Sequence, residues 1–241
     1  MVSSLLSLGL IVAVVLAAGL SSRMGRPKQT LPIRGKSMLQ KVLEVFRKSR
    51  VDGVVVVLGA REREVRNKVE FKDEKVVYNP RYAEGMSGSL KLGLAEAGPW
   101  AEAVIVALGD QPYLSPSTVN RLIKAYSDSE APVVVPVYKG RRGNPVLFDR
   151  RTFSQIMSIT GDEGAKSVIK QNKNAVLEVT VEDEGVQTDI DTPDDYRKAT
   201  SALGPRLIRK VKSGNVSKPH GTRPRSRQAK KAAPTRSRAD L

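Results

Sequence analysis

The sequence predicts an α/β fold, a three-layer sandwich with a mostly parallel sheet and a small antiparallel edge. Short apolar runs, typical of strands buried on both faces, recur along the chain. The early runs alternate with segments whose apolar or charged residues have helical spacing. Strand, helix and strand in this order imply right-handed crossovers and parallel pairing. A chain of 241 residues is long enough for one such domain with a real core.

The first half of the chain predicts the parallel strands and the helices between them. The strands are residues 10–16, 54–58, 75–78 and 104–108, and the helices are residues 37–50, 61–68 and a segment that starts at 115. Ser37 and Ser115 are predicted helix caps, and Pro116 suits the first helical position. Ser87, which follows the turn at Gly85, is a third candidate cap.

The second half predicts the antiparallel edge and the closing helices. Residues 133–137 and 145–148 flank a polar loop and are predicted to pair at the edge of the sheet, and Gly143-Asn144 would suit a hairpin turn. Residues 149–159 and 162–171 predict helices, and residues 176–181 predict a strand. A last helix would be capped by Thr192 and start at Pro193. Apolar periodicity stops after Gly204, so we expect a domain of residues 1–204 and a tail of residues 205–241.

Composition excludes several kinds of catalyst. The chain has no cysteine, which excludes thiolate metal sites, Cys nucleophiles and disulfides. Its one histidine, His220, lies in the polar tail, so a His-based triad or a His-rich zinc site is excluded as well. Carboxylates, hydroxyls, Lys and Arg remain, and they favour charge stabilisation and hard-metal chemistry.

The tail carries most of the net charge. Residues 205–241 hold 12 Lys and Arg against one acid, whereas the whole chain has a net charge of +16. This composition predicts disorder. The tail could be an arm that binds nucleic acid or a solvated extension, and the absence of aromatic side chains for stacking favours the extension. Binding by an arm would weaken steeply with salt and would vanish on truncation after Gly204.

The stretch from Leu10 to Lys28 joins a buried-strand pattern to a loop of small residues and cations. The apolar run ends at residues 17–19, which are Ala, Ala and Gly, and the cations Arg23 and Lys28 follow. Small residues at the carboxyl end of a buried strand let backbone amides approach a phosphate, and cations neutralise its charge. The chain contains neither a P-loop nor a dinucleotide fingerprint. The stretch therefore predicts a polyphosphate site of another kind.

The same stretch also fits the description of a secretory signal peptide. However, no basic residue precedes Arg23, and motifs that match the loop follow downstream. No apolar segment reaches the about 20 residues that a membrane span needs. We therefore expect a soluble, cytoplasmic protein with no membrane partner, either a monomer or a dimer.

Asp110 comes directly after a predicted buried strand, where open α/β sheets usually bind ligands. A carboxylate near a cationic phosphate loop suits Mg²⁺, which takes one or two carboxylates together with phosphate oxygens and water. Asp191 is the preferred second ligand and Asp189 the alternative, because they alternate along an extended segment and only one can face the metal. Taken alone, Asp110 is as consistent with a turn or a capping acid.

Short motifs occur in order over nearly the whole predicted domain. They are Leu16-Ala17-Ala18-Gly19 with Ser22-Arg23-Met24-Gly25 and Lys28, then Gly85-Met86-Ser87-Gly88-Ser89, Asp110-Gln111-Pro112, Arg142-Gly143-Asn144-Pro145, Gly161-Asp162-Glu163-Gly164-Ala165, and Asp189 to Tyr196. This set resembles the signatures of the MobA-like NTP transferases, the nucleotidyltransferases of the molybdenum-cofactor branch. The resemblance implies a Rossmann-like fold and, with Mg²⁺ as cofactor, transfer of a nucleotidyl group from an NTP to the terminal phosphate of molybdopterin, which releases pyrophosphate.

The resemblance also implies a role for each matching position. Arg23, Lys28 and Asp110 would be catalytic, and Asp110 and Asp191 would bind Mg²⁺. The residues that would bind the nucleotide are Leu16, Ala17, Ala18, Gly19, Arg23, Lys28, Asn79, Gly85 and Ser87. Those that would bind the acceptor are Arg142, Gly143, Asn144, Asp162 and Gly164, although Asp162 could instead be a helix cap.

CTP is the expected nucleotide, because LAAG, with Ala at position 18, accompanies the CTP-using members of the branch and LAGG the guanylyl-transferring ones. The acceptor phosphate is largely dianionic at neutral pH and needs no general base, which agrees with the lack of a suitable histidine.

One alternative is guanylyl transfer to molybdopterin. Another is transfer to a sugar phosphate or a phosphorylated alcohol, and only residues 142–165 would distinguish such an acceptor from molybdopterin. A non-enzymatic alternative is a nucleic-acid-associated protein that acts through its tail.

Overall fold

The computed structural model describes residues 9–162 and 164–201. In chain order the elements are β1 (Leu10–Ala17), β2 (Pro32–Ile33), β3 (Lys36–Ser37), α1 (Met38–Arg47), β4 (Gly53–Leu58), α2 (Glu62–Lys68), β5 (Lys75–Tyr78), α3 (Met86–Ala97), β6 (Ala101–Leu108), α4 (Pro116–Ser129), β7 (Val133–Tyr138), β8 (Arg141–Arg142), β9 (Val146–Asp149), α5 (Phe153–Ser158), α6 (Lys166–Gln171), β10 (Val176–Thr180) and α7 (Pro193–Ser201). None of the described helices combines the length and apolar character that crossing a bilayer takes. The predicted tail lies outside the described residues, so its disorder and the domain boundary stay predictions.

The central sheet has the strand order β10-β7-β9-β6-β1-β4-β5, and β8 pairs with β7. Strand β1 pairs in parallel with β4 and β6, and the pairs β4–β5 and β7–β10 are also parallel. Helices α1, α2 and α4 pack on one face and α3, α5 and α6 on the other. The prediction of a mostly parallel three-layer α/β sandwich is therefore confirmed.

Strand β1 shows why the apolar run was unbroken. The odd-numbered residues from Ile11 to Ala17 point into the core under α1, α2 and α4. The even-numbered residues Val12, Val14 and Leu16 point into the core under α3, α5 and α6. A strand covered on both faces has no solvent-facing positions and needs apolar residues throughout.

The antiparallel strands differ in position from the prediction. Strand β9 lies between β6 and β7, inside the sheet rather than at its edge. The chain reverses at Lys139 and Gly140, whose φ values of 47° and 73° suit a two-residue hairpin turn that matches the strand twist. The alternative of a hairpin turn at Gly143-Asn144 is wrong: Gly143 follows β8, and its amide donates to the carbonyl of Pro136 over 2.9 Å.

Three of the four predicted helix caps are confirmed, among them Thr192 before α7, whose hydroxyl accepts a hydrogen bond of 3.1 Å from the Asp195 amide. The hydroxyl of Ser37 accepts a hydrogen bond from the Gln40 amide, and Ser115 does the same for Ser117. The cap predicted at Ser87 is wrong, because α3 begins at Met86, directly after Gly85, and Ser87 lies buried in the first helical turn.

The helix predicted from residue 162 begins only at Lys166. Gly161 and Gly164 have φ values of 66° and 54°, which are left-handed and interrupt a right-handed helix. Residues 161, 162, 164 and 165 therefore lie in turns before α6 and remain available to line a site.

The sheet order positions a binding site. From β1 the chain moves to β4 and β5 on one side, and it then returns to β6 on the other side of β1. Adjacent parallel strands whose connections diverge in this way leave a crevice at their carboxyl ends. Residues 17–19 and Asp110 stand at that crevice.

Candidate active site

A cleft of about 750 Å³ opens at the carboxyl ends of β1 and β6. The predicted site residues that line it come from six separate parts of the chain, and they are Leu16, Ala17, Ala18, Gly19, Arg23, Lys28, Gly85, Asp110, Asn144, Asp162, Gly164 and Asp191. Asn79, Ser87, Arg142 and Gly143 do not line it. Asp110 and the small-residue turn thus face one cleft, as the polyphosphate hypothesis requires.

The small-residue turn after β1 is held from both sides. Buried Gln29 donates a hydrogen bond from its side-chain amide to the carbonyl of Ala17 over 3.0 Å. On the other side, a Cβ at Gly59 would lie 2.6 Å from the carbonyl oxygen of Ala18, so only glycine permits this approach of β4. The backbone amides of residues 19–21 donate to no acceptor among the described residues. A fixed turn with available amides can hold phosphate oxygens.

Lys28 is the centre of the charged cluster. Its ammonium contacts Asp110 Oδ2 and lies 2.7 Å from Asp191 Oδ1. Asp191 Oδ2 in turn lies 3.1 Å from a guanidinium nitrogen of Arg23. The side chains of Lys28 and Asp110 are only 14% and 15% exposed, whereas that of Arg23 is 64% exposed. The predicted phosphate-binding cations and the predicted metal ligands are therefore direct neighbours.

The pKa values of this cluster reflect its pairing. Burial would lower the pKa of Lys28, but the charges of Asp110 and Asp191 and the hydrogen bonds to them outweigh burial and raise it. Burial would raise the pKa of Asp191, but hydrogen bonds from Lys28 and Arg23 and their charges hold it below its ordinary value. Lys28 and Asp191 are thus both charged at neutral pH.

Asp189 lines the same cleft but has different partners. Its Oδ1 accepts a hydrogen bond of 2.6 Å from the side-chain amide of Gln111, which also lies 3.3 Å from the carbonyl of Val186. Burial, followed by the nearby charge of Asp110, raises the pKa of Asp189 above its ordinary value. Asp191, not Asp189, is therefore the carboxylate that the two cations engage.

One atom of the cluster fits a divalent cation. Asp110 Oδ1 is buried and has no hydrogen-bond partner, which is costly for a carboxylate oxygen unless a ligand satisfies it. Within the described ranges no cluster of three or more side chains is arranged to hold a metal ion. The residues therefore suit a hard cation such as Mg²⁺, which takes one or two carboxylates and completes its shell with phosphate oxygens and water.

The turns before α6 form another wall of the cleft, through Asp162, Gly164 and Ala165. Asp162 Oδ1 accepts a hydrogen bond of 3.1 Å from the amide of Met86, the first residue of α3. The alternative interpretation, in which Asp162 caps α6, is therefore wrong. Asp162 instead accepts a hydrogen bond from an amide at the start of α3. Asn144 lines the cleft, and its own amide donates to the carbonyl of Val186 over 2.8 Å.

The predicted site residues outside the cleft have structural contacts. The side-chain amide of Asn79 donates to the Ser89 hydroxyl over 2.9 Å in the interior. Arg142 pairs with Glu178 on β10 at 2.7 Å. A Cβ at Gly143 would lie 2.3 Å from the carbonyl oxygen of Val186, so close packing requires glycine there.

Some cleft residues had no role in the sequence-based prediction. Gln111 does not line the cleft, but its side-chain amide holds Asp189, which does, and its place in Asp110-Gln111-Pro112 was a signal for this role. Lys166 and Ile169 reach the cleft from α6, and Tyr82 and Glu84 from the segment before α3. No sequence signal marked these four, because their exposure to the cleft depends on how α3 and α6 pack.

Comparisons with known proteins agree with this geometry. Residues 13–176 match the family model described as the MobA-like NTP transferase domain. The chain is 33% identical over 194 residues to "Nicotine blue oxidoreductase" of Paenarthrobacter nicotinovorans, covering 76% of this chain and 92% of that protein. It is 31% identical to "Purine catabolism protein PucB" of Bacillus subtilis strain 168, over 80% and 97% of the two chains. It is 26% identical to the molybdenum cofactor cytidylyltransferase of Escherichia coli K12, over 76% and 92%.

Solved structures give the same result. Rv0371c of Mycobacterium tuberculosis H37Rv superimposes with a TM-score of 0.72 at 34% identity, over 80% of this chain and 97% of that one. A structure of Rv0371c in complex with manganese superimposes with a TM-score of 0.69 at 32% identity, over 79% and 98%. The family match spans more than half of the chain, and each of the motifs that resemble the family contributes at least one residue to the cleft. The chain therefore belongs to the MobA-like NTP transferases and is a nucleotidyltransferase of that family.

Proposed function

We propose that this protein transfers a cytidylyl group from CTP to the terminal phosphate of molybdopterin, with Mg²⁺ as cofactor and pyrophosphate as the second product. The observation that carries the proposal is the convergence of Lys28, Asp110 and Asp191 beside the turn at residues 17–19. It combines cations for a triphosphate with carboxylates for its metal ion in one cleft.

In this reaction an oxygen of the acceptor phosphate attacks the α-phosphorus of CTP. A new P–O bond forms, the bond from the α-phosphorus to the bridging oxygen breaks, and pyrophosphate leaves. Arg23 and Lys28 neutralise the triphosphate, and the amides of residues 19–21 orient it. Asp110 and Asp191 hold Mg²⁺, which supplies charge neutralisation at the reacting phosphates when bound. No side chain has to remove a proton, because the attacking phosphate is already anionic.

CTP is preferred in this proposal because of Ala18. Ala18 lines the cleft beside Gly19 and is 7% exposed. Ala at this position gives the motif LAAG, which in the family that the chain resembles accompanies the CTP-using members. The relative named as a cytidylyltransferase supports the same nucleotide.

A second candidate function is the same transfer to another phosphorylated acceptor, such as a sugar phosphate or a phosphorylated alcohol. One observation supports this second candidate function. Arg142 and Gly143, which were expected on the acceptor side, do not line the cleft, whereas Lys166 does. The acceptor wall thus differs from the expected one, and the nucleotide half would serve either acceptor.

The deciding experiment measures pyrophosphate release from each of the four NTPs, with molybdopterin and with several sugar phosphates, in the presence of Mg²⁺. We expect turnover with CTP and molybdopterin. Asp110→Ala should lower it by about a hundredfold or more, because charge stabilisation of the transition state is lost. Asp128→Ala is the matched control, since Asp128 is an exposed acid of α4 that pairs with Lys124.

Unchanged turnover in Asp110→Ala, with the same fold by circular dichroism, would contradict the proposed metal site. A preference for GTP would contradict the nucleotide assignment. Turnover with a sugar phosphate alone would establish the second candidate function in place of the first.

A further inference from the structure

Each carboxylate oxygen of Asp191 already faces a cation. Its Oδ1 lies 2.7 Å from the Lys28 ammonium, and its Oδ2 lies 3.1 Å from the Arg23 guanidinium. A divalent cation that takes both Asp110 and Asp191 as ligands would lie close to these cations, and repulsion between like charges favours its displacing one of them. Among the described residues only Lys28 pairs with both carboxylates, so Lys28 is the cation that the metal ion would displace.

The charges of the cluster nearly balance. Lys28 and Arg23 supply two positive charges, Asp110 and Asp191 supply two negative ones, and nearby Asp189 supplies at most one more. A divalent cation alone would add two positive charges and leave the cluster with an excess of positive charge. A nucleoside triphosphate bound with the metal brings several negative charges and restores the balance.

Burial makes an unpaired Lys28 costly. The side chain is only 14% exposed, so its ammonium cannot exchange the carboxylates for bulk water without a rearrangement. An anion that enters the cleft beside residues 17–19 lies within the reach of this long side chain and offers a replacement partner.

Building on the proposed function, we propose that Lys28 and the divalent cation compete for Asp110 and Asp191, and that Lys28 passes from the carboxylates to the triphosphate when the metal enters. Lys28 is thus a positioning residue for the metal ligands before it becomes a phosphate ligand. Metal alone binds weakly, and the NTP raises metal affinity because it receives the displaced ammonium. Linkage requires that the metal raise NTP affinity by the same factor, typically 5- to 150-fold.

The test measures Mn²⁺ binding to the full 241-residue chain by electron paramagnetic resonance, with and without CTP and without acceptor. We expect Lys28→Met to bind Mn²⁺ alone about tenfold more tightly than the wild type, because the competitor is gone. The gain in Mn²⁺ affinity on adding CTP should be smaller in this variant than in the wild type.

A matched control separates competition from general electrostatics. Lys166→Met removes the same charge from the same cleft, but Lys166 forms no ion pair with Asp110 or Asp191. We expect its Mn²⁺ affinity without nucleotide to stay within about twofold of the wild type. An equal gain in both lysine variants overturns the proposal.

A second measurement does not depend on a variant that folds well. In wild-type protein labelled with ¹³C at the lysine ε carbon, saturating Mg²⁺ with CTP should shift the Lys28 signal. Mg²⁺ alone should shift it at a much higher concentration. A Lys28 signal that does not shift while Mg²⁺ and CTP bind overturns the proposed exchange of Lys28 between the carboxylates and the triphosphate.

Failure of the proposed function gives a different result. In that case the wild type binds no Mn²⁺ with any of the four NTPs, whereas failure of the competition leaves the Mn²⁺ affinity of Lys28→Met unchanged.

Discussion

The carboxylate of Asp162 and the amide of Met86 join two walls of the cleft through a hydrogen bond of 3.1 Å. Next to it, the amide of Ser87 donates to the carbonyl of Gly161 over 3.1 Å. The first amides of a helix have no partner within the helix, and Gly161 and Asp162 supply partners for two of them. The start of α3 and the proposed acceptor side are therefore one hydrogen-bonded unit.

Asp162→Ala should lower the free energy of unfolding by about 0.5–2 kcal/mol, the usual effect of losing such an acceptor at a helix start. Asp162→Asn is the matched variant, because it keeps an acceptor oxygen, and it should lose less than half of that amount. Urea unfolding followed by circular dichroism measures both. If Ala and Asn destabilise the protein equally, the contact to Met86 does not stabilise α3.

Gly85→Ala should destabilise the protein more than Gly98→Ala. Both glycines have positive φ values, 112° and 89°, so alanine is strained at either position. A Cβ at Gly85 would also lie 2.6 Å from the carbonyl oxygen of Gly161, whereas nothing lies within 4 Å of a Cβ at Gly98. We expect Gly85→Ala to cost at least about 1 kcal/mol more in urea unfolding, and equal costs would contradict the close packing.

Asp191→Ala should lower kcat/KM far more than Asp189→Ala. Asp191 contacts both Lys28 and Arg23, whereas Asp189 accepts its hydrogen bond from the neutral side chain of Gln111. We expect losses of about a hundredfold and about tenfold in pyrophosphate release. The reverse order would make Asp189 the metal ligand.

Tyr126→Phe should lower stability in a pH-dependent way. The Tyr126 hydroxyl donates to buried Asp149 over 2.7 Å. Burial would raise the pKa of Asp149, but hydrogen bonds from Arg151 and Tyr126 hold it below its ordinary value of 3.8. The stability that Asp149 contributes is present above pH 3.8 and is lost as the pH falls through the lower pKa of the folded protein.

The expected cost of Tyr126→Phe is about 1.5–3 kcal/mol at pH 7, because the hydrogen bond goes to a charged acceptor. The cost should shrink as the pH drops below 3.8. Tyr78→Phe is the control, since Tyr78 is exposed on β5. Urea unfolding at pH 7 and pH 3 measures the difference, and a cost that does not change with pH would contradict the ionic character of this contact.

Local patterns predicted most of the secondary structure. Strand β5 has the predicted bounds, and Ser37 and Ser115 cap helices as expected. These features depend on residues within a few positions of each other. The position of β9 inside the sheet could not be predicted in this way, because pairing with β6 joins residues about forty positions apart.

By itself, the sequence determined the family, the strand and helix pattern, and the importance of Lys28, Asp110 and Asp191, because short motifs carry that information. Only the tertiary structure decided what the Lys28 ammonium contacts. Its partners are 82 and 163 residues away in the chain and come within reach only after β1, β6 and the segment before α7 have packed. The same reason applies to Arg142. A long cationic side chain pairs with whichever carboxylate lies near it in the folded protein, and for Arg142 this is Glu178 on β10.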